Sequence, residues 1–227
     1  MDKRKNSEVA SLANELTKRF TFPRRKTKIP IVVAMIGLIG SGKSSVAREI
    51  AKHSGAIVIE GDYIRVALRK RGQSYESARE IAEHIAYDAV RRGSNVVLDS
   101  DFVDPKKRAS LEKKAGQMEA RVHYVRTHCD FDIATGRIVS ANYKNSPEDF
   151  FGGAGTSFKG SAQNRGAVVK MRELLRRVPH HYQWEHKDGG RWLLKKPPCK
   201  LLADIDTTHP LAWKKEVEKS FKKLLSR

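Results

Sequence analysis

The chain has few cysteines and no long hydrophobic run. Its two cysteines, Cys129 and Cys199, are far apart, which argues against a disulfide framework and favours a reducing compartment. We therefore expect a cytoplasmic protein. The longest apolar run, residues 29–40, contains Pro30 and is too short to cross a bilayer, so no membrane segment is expected. Histidines and cysteines do not show the spacing of a zinc site.

Acidic residues are scarce relative to basic ones. The 227 residues include 45 Lys and Arg against 26 Asp and Glu, for a net charge of +19 and a pI of about 10.1. Binding of ATP alone does not require such an excess, so the charge predicts a polyanionic partner, with nucleic acid as the first candidate. A merely solvated basic surface is the alternative. Oligomeric state is left open.

One motif stands out from this background. Gly37–Ser44 fits the phosphate-loop pattern G-x-x-x-x-G-K-[ST] and directly follows the apolar run Ile31–Ile36. Glycines let backbone N–H groups turn toward phosphate oxygens, Lys43 reaches the β- and γ-phosphates, and the Ser44 hydroxyl ligates Mg²⁺. The sequence thus predicts binding of ATP and Mg²⁺ by Gly37, Gly40, Ser41, Gly42, Lys43, Ser44 and Ser45.

Apolar runs alternate with helical periodicity after residue 30. This pattern predicts an α/β fold of the P-loop NTPase type, with a five-stranded, mostly parallel sheet flanked by helices. The five expected strands are 31–36, 56–59, 95–98, 121–125 and 201–205.

Two segments interrupt the alternation. The glycine-rich stretch 142–163 has the composition of a lid, which we place at about 137–165. Residues 180–198 contain Tyr182, Trp184 and Trp192 and predict an inserted β-hairpin. Its aromatic rings could stack on nucleic-acid bases or simply pair across the hairpin.

Residues 1–30 carry a local excess of basic charge and predict an extension to a single nucleotide-binding domain over 31–227. The extension could be a nucleic-acid-binding arm, a localisation signal or a solubilising tail. Val9, Leu12, Leu16 and Phe20 could line one face of a short helix within it.

Three acidic residues follow predicted strands at the edge where ligands collect in open α/β sheets. Asp62, with Arg65 one turn later, is interpreted as a base and an anchor for an acceptor anion, or else as a helix cap with an ion pair. Asp99 ends the third strand and is expected to support Mg²⁺. Asp101 is the competing candidate for that role.

These residues together resemble a family. The loop, the pair Asp62 and Arg65, and the strand ending at Asp99 are similar to the AAA-type P-loop kinases that include polynucleotide 5′-hydroxyl kinases and zeta-toxin-like kinases. The resemblance covers roughly residues 31–137. It implies that Asp62 is the base and that Arg65 contacts phosphate at the acceptor end.

The same resemblance implies that a lid supplies arginines to the transferred phosphoryl group. Arg137 matches the first of them, and Ala141 stands where a second arginine is often found. Lys144, Lys159 or Arg165 could substitute, because any cation carried by a mobile lid serves the same electrostatic purpose.

The sequence therefore predicts an ATP-dependent kinase with Lys43, Asp62, Arg65 and Arg137 as catalytic residues and Ser44 and Asp99 at the metal. We expect the acceptor to be a nucleic-acid 5′-hydroxyl. The alternatives are a small-molecule kinase, acting on a nucleoside, sugar or nucleotide-sugar, and a nucleotide-dependent nucleic-acid-binding ATPase without kinase activity.

Overall fold

A computed structural model describes residues 3–143 and 162–225. Helices and strands alternate along most of the chain, as the apolar pattern predicts. In chain order they are α1 (Lys3–Thr17), β1 (Ile31–Ile36), α2 (Lys43–Ser54), β2 (Ala56–Glu60), α3 (Gly61–Lys70), α4 (Ala78–Arg91), β3 (Asn95–Asp99), α5 (Pro105–Gln117), β4 (Arg121–His128), α6 (Phe131–Ser140), α7 (Ala162–His181), β5 (Tyr182–Glu185), β6 (Arg191–Leu194), β7 (Ala203–Asp206) and α8 (Ala212–Leu225).

Five strands form one sheet in the order β2-β3-β1-β4-β7, and every neighbouring pair is parallel. The central strand β1 is buried along its whole length. Its side chains alternate between two cores, with Val32 and Ala34 in one and Val33 and Met35 in the other. A strand buried on both faces is expected to be apolar throughout, and the five-stranded α/β fold predicted from that pattern is confirmed.

Helices cover both faces of the sheet. The face that carries Val33 packs against α2 and α8, where Phe221 is fully buried. The opposite face packs against α1, α3, α4 and α5, with Ile81 and Leu111 among its buried side chains. A third cluster, which includes Leu38 and Leu174, lies beneath α6, α7 and the hairpin. The last cluster couples the start of the phosphate loop to α7.

The first thirty residues differ from the basic extension that we expected. Helix α1 packs against α4, and its Leu12, Ala13 and Leu16 are at most 1% exposed within the main core. Apolar residues four apart lie on one helix face, and here that face completes the core instead of remaining in solvent. The linker continues the contact, because Arg25 N–H donates to the carbonyl of Gly93.

The predicted hairpin is present as β5 and β6, which pair antiparallel with Trp184 opposite Trp192. The two indole rings meet edge to face at 5.2 Å, and Trp192 also packs against Phe131 at 5.2 Å. These contacts favour the structural interpretation of the aromatic residues, although Trp184 remains 43% exposed. Most of the expected lid, residues 144–161, lies outside the described residues, and so do Lys144 and Lys159.

Candidate active site

The phosphate loop connects β1 to α2 at the carboxyl edge of the sheet, where ligands collect in such folds. Glycine is required in this loop by the backbone conformation and by the lack of space for a Cβ atom. Gly40 has φ of 83°, and a Cβ at this position would lie 2.5 Å from the carbonyl oxygen of Ala134. Gly42, with φ of 80°, immediately precedes α2. The loop is therefore held in a conformation that larger residues cannot adopt without displacing the helix beside it.

Lys43 folds back across this loop. Its ammonium group donates hydrogen bonds to the carbonyl oxygens of Gly37, at 2.8 Å, and Leu38, at 2.9 Å. Burial lowers the pKa of Lys43, and the nearby charges of Asp101 and Asp99 partly offset that effect. A desolvated cation that donates to neutral carbonyl oxygens of the loop is a suitable partner for an anionic phosphate.

Ser44 and Asp99 meet beside the loop. Burial raises the pKa of Asp99, and the neighbouring Ser44 hydroxyl opposes that effect. A half-buried carboxylate next to a hydroxyl suits Mg²⁺, which prefers oxygen ligands and commonly takes only one or two protein groups in addition to phosphates and water. Within the described residues no cluster of three or more His, Cys, Asp and Glu could hold a metal. These donors therefore fit a magnesium ion that arrives with a nucleotide.

Asp62 lies in the first turn of α3, directly after β2. Its carboxylate accepts a hydrogen bond from Arg65 Nη1 at 2.8 Å, and Lys170 Nζ of α7 lies 3.7 Å from it. The side chain is 52% exposed, so a ligand can reach it. Its charge acts on the pKa of both Lys43 and Asp99. The structure thus brings Asp62 and Arg65 to the same site as the phosphate loop.

Asp101 lies two residues beyond Asp99 but has a different environment. One carboxylate oxygen accepts hydrogen bonds from the backbone N–H groups of Gly37 and Val103, each at 3.3 Å. The other lies 3.0 Å from His181 Nε2. Burial by itself would raise the pKa of Asp101, but the hydrogen bond and charge of His181 lower it to about 2. Asp101 is therefore a brace between the phosphate loop and α7, and Asp99 is the better candidate for the metal.

Arg177 is a site residue that the sequence did not reveal. Its Nη1 lies 3.7 Å from Asp101, and its Nε lies 3.3 Å from Glu173. Its charge lowers the pKa of both Lys43 and Lys107. The only signal in the sequence was the apolar periodicity of α7, with Leu174 and Val178 four residues apart on the buried face.

Arg137 lies at the other end of the phosphate loop. Its guanidinium group donates to the carbonyl oxygen of Gly40 at 3.1 Å, to the Thr207 hydroxyl at 3.1 Å and to the Thr207 carbonyl. The Thr207 hydroxyl in turn donates to the carbonyl of Ser41 at 3.0 Å. Arg137 thus connects α6, the loop and the end of β7. Asp62 and Arg177 differ from it, because their charges affect the pKa of Lys43.

Comparison with known proteins agrees with this geometry. Residues 32–151, more than half of the chain, match the model of an AAA domain family. The chain belongs to this family, and its class is that of the P-loop phosphotransferases. An uncharacterized protein of Mycobacterium bovis is 30% identical over an alignment that covers 47% of this chain and 25% of that protein. The chain thus matches about a quarter of the length of this curated relative.

Solved structures share the fold at low sequence identity. A gluconokinase from Sinorhizobium meliloti 1021 superposes with a TM-score of 0.50 at 18% identity, over 87% of this chain and 95% of that one. A putative kinase from Chloroflexus aurantiacus gives a TM-score of 0.56 at 15% identity, over 87% and 99% of the two chains. The fold is that of P-loop kinases. Within the described residues no helix is long and apolar enough to cross a membrane.

Proposed function

We propose that this protein is an ATP-dependent kinase that transfers the γ-phosphoryl group of ATP to a hydroxyl group of a small molecule. The observation that carries the proposal is that Lys43 and Asp62 lie at the same carboxyl edge of the sheet, one after β1 and the other after β2. The cation belongs to the phosphate loop and the half-exposed carboxylate to α3, and the charge of Asp62 raises the pKa of Lys43. Phosphoryl transfer requires this pairing of a phosphate-holding cation with a group that orients the acceptor.

On the nucleotide side, the loop N–H groups and Lys43 would hold the phosphates. Among the residues that the structure describes, Lys43 donates to the carbonyl oxygens of Gly37 and Leu38, so phosphate oxygens would give its charge an anionic partner. Ser44 and Asp99 would hold Mg²⁺, which neutralises phosphate charge when bound. The contacts of Arg137 with Gly40 and Thr207 support a role in shaping the loop for the nucleotide.

On the acceptor side, Asp62 would orient the acceptor hydroxyl and take its proton. The hydroxyl oxygen attacks the γ-phosphorus, the bond from that phosphorus to the β–γ bridging oxygen breaks, and ADP leaves with the electron pair. A transition state of this kind needs positioning and charge stabilisation more than a strong base. The hydrogen bond from Arg65 to Asp62 supports this role, because it fixes the direction of the carboxylate.

Arg177 supplies the cation that the sequence lacks at Ala141. Its guanidinium group is about 28% exposed and acts on the pKa of Lys43. A fixed positive charge near the transferred group lowers the barrier to transfer. We therefore assign to Arg177 of α7 the role for which Lys144, Lys159 and Arg165 were considered.

A small acceptor is favoured over a nucleic-acid end by two observations. The structural neighbour from Sinorhizobium meliloti is a gluconokinase, and the cavity that Gly61 and Arg65 of α3 help to line is about 120 Å³. A nucleic-acid 5′-hydroxyl remains the second candidate because of the net charge of +19 and the exposed indole of Trp184.

An acceptor panel tests the proposal. The purified chain is incubated with ATP and Mg²⁺ and, separately, with sugar acids, hydroxy acids, nucleosides and a 5′-hydroxyl oligonucleotide, and ADP release is followed together with product mass. We expect acceptor-dependent ADP release with at least one small molecule and none with the oligonucleotide. The Asp62→Asn variant serves as the blank for hydrolysis by water. Phosphorylation of the oligonucleotide alone would refute the small-molecule assignment.

A further inference from the structure

A cavity of about 120 Å³ opens between α3, α4 and α5, and its lining includes Gly61 and Arg65, the latter bonded to Asp62. Its inner wall consists of side chains that belong to the main core, namely Ile59, Leu98, Phe102 and Leu111, each at most 7% exposed. Space is left because α4 presents small residues to this wall, among them Ala82. An engineered apolar cavity of about 150 Å³ binds benzene. The present cavity is somewhat smaller but open to solvent, so it can receive a compact apolar body of about six carbons.

The charged residues that line this cavity are Arg65, Glu76, Arg79, Glu83 and Lys107. Glu83 accepts contacts from Arg79, at 3.3 Å, and from Lys114, so these charges offset one another. The other cations of the lining are Arg65 and Lys107. The Arg65 guanidinium already bonds to Asp62, which leaves Lys107 to be accounted for.

Lys107 has a charge without a carboxylate partner. Its ammonium donates to the carbonyl oxygen of Asp101 at 2.9 Å and to the Ser100 hydroxyl at 3.4 Å, and it lies over the ring of Phe102. In the described part of the chain, no carboxylate oxygen lies within 4 Å of it. An ammonium has three protons, and neutral oxygens take two of them. The third is available to a ligand in the cavity.

Burial reinforces this argument. Desolvation has the largest effect and lowers the pKa of Lys107; the charge of Asp101 opposes it, and the charges of Arg65 and Arg177 lower the pKa further. Arg65 and Arg177 have carboxylate partners of their own, so an anionic ligand beside Lys107 would mainly offset the desolvation of its ammonium group.

We infer that the acceptor of this kinase is a small hydroxy compound with a compact hydrocarbon body and one anionic group, a carboxylate, sulfate or phosphate, bound by Lys107. The inference rests on the proposed function for the fate of the hydroxyl, which lies toward Asp62. It makes Lys107 a specificity-determining residue. A polyol without an apolar body would leave the wall formed by Leu98 and Leu111 uncovered, and a neutral compound would leave Lys107 unpaired.

Binding is measured without catalysis, by ligand-observed NMR on the full chain. The probes are cyclohexanecarboxylate, its neutral amide of the same shape, and gluconate, which has the charge without the apolar body. We expect the ring carboxylate to bind about tenfold more tightly than either of the others, because a hydrogen bond to a charged group is stronger than one to a neutral group. Equal binding of carboxylate and amide, tighter binding of gluconate, or no binding of the ring carboxylate overturns the inference.

Two variants locate the effect. Lys107→Met should abolish the preference for carboxylate over amide, and Ala82→Leu should fill the cavity and weaken both ring compounds. Lys106→Met is the matched control, since Lys106 is the exposed neighbour on the same helix, and it should keep the wild-type preference. A preference that survives in Lys107→Met overturns the inference even if Ala82→Leu fails to fold.

A catalytic assay separates this inference from the proposed function. The hydroxylated probe 4-hydroxycyclohexanecarboxylate is tested with ATP and Mg²⁺ beside gluconate. Tight binding of the ring carboxylate, with no phosphorylation of any small acceptor, would refute the proposed function and leave the site intact. Phosphorylation of gluconate at a rate unaffected by Lys107→Met would refute the site and leave the kinase assignment intact.

Discussion

The two sides of the candidate active site are built in different ways. The phosphate side consists of consecutive residues, Gly37–Ser44, whose backbone groups are fixed by glycine conformations and by contact with Ala134 and Thr207. The acceptor side that we propose consists of side chains from separate helices, with Asp62 on α3, Lys107 on α5 and Arg177 on α7.

This difference separates two tasks. Backbone N–H groups hold any triphosphate regardless of what receives the phosphoryl group, because they recognise a feature common to all such nucleotides. Side chains on helices can be exchanged one at a time and therefore determine the acceptor. Substitutions on the phosphate side should abolish every activity, whereas substitutions on the acceptor side should change rate or selectivity and leave ATP binding intact.

The largest effect is expected on the phosphate side. Lys43→Met removes the buried cation and should lower kcat by about 10³-fold with every acceptor. ADP release with the best acceptor of the panel measures this. Lys52→Met changes an exposed lysine of the same helix and should retain wild-type activity. A Lys43→Met enzyme that loses activity with only one acceptor would contradict the separation of the two sides.

Asp62→Asn tests the acceptor side. Removal of the group that takes the proton should lower kcat by about 10² to 10⁴-fold, while the affinity for ATP stays unchanged. Turnover and ATP titration are measured on the same preparation. Asp132→Asn, an exposed acid in the first turn of α6, is the matched control. Full turnover in Asp62→Asn would remove Asp62 from the mechanism.

Asp101→Asn tests the brace between the phosphate loop and α7. The pKa of Asp101 falls from 3.8 to about 2 on folding, so the ionised carboxylate stabilises the folded state by about 2 kcal/mol above pH 3.8. This contribution is lost as the pH falls toward 2. Urea unfolding at pH 7 should show the variant less stable than the wild type, and the difference should shrink in acid.

Asp188→Asn, in the exposed turn of the hairpin, controls for the general effect of losing a negative charge. If Asp101→Asn is as stable as this control at pH 7, the contacts of Asp101 with His181 and Gly37 do not hold the loop to α7.

The smallest effect is expected at Arg137. Arg137→Lys keeps the charge but loses the forked contacts with Gly40 and Thr207. We expect the KM for ATP to rise by about threefold to tenfold, with little change in kcat. Steady-state kinetics with varied ATP measures both constants. A fall in kcat of about 10³-fold would instead place this guanidinium at the transferred phosphoryl group, as the family resemblance implies.

The phosphate side is a run of consecutive residues, whereas the acceptor side joins distant helices, and this difference explains which parts of the site could be predicted from the sequence. Strand β1, the loop and Lys43 depend on local pattern, and Asp62 and Asp99 follow from their positions at strand ends. The contacts of Asp101 with His181 and Arg177 join residues about 80 positions apart, and no local pattern reports such a contact. Helix α1 was recognised as amphipathic, but the partner of its apolar face, α4, is defined only by the tertiary fold.

The most direct test of the central claim is a competition in one tube. The chain is given ATP whose γ-phosphate carries a heavy oxygen isotope, together with equal concentrations of a 5′-hydroxyl oligonucleotide and the hydroxylated small acceptors. Mass spectrometry then identifies which product carries the labelled phosphoryl group. The account predicts label on a small acceptor, absent when Asp62→Asn replaces the wild type. Label on the oligonucleotide end, with none on any small molecule, would contradict it.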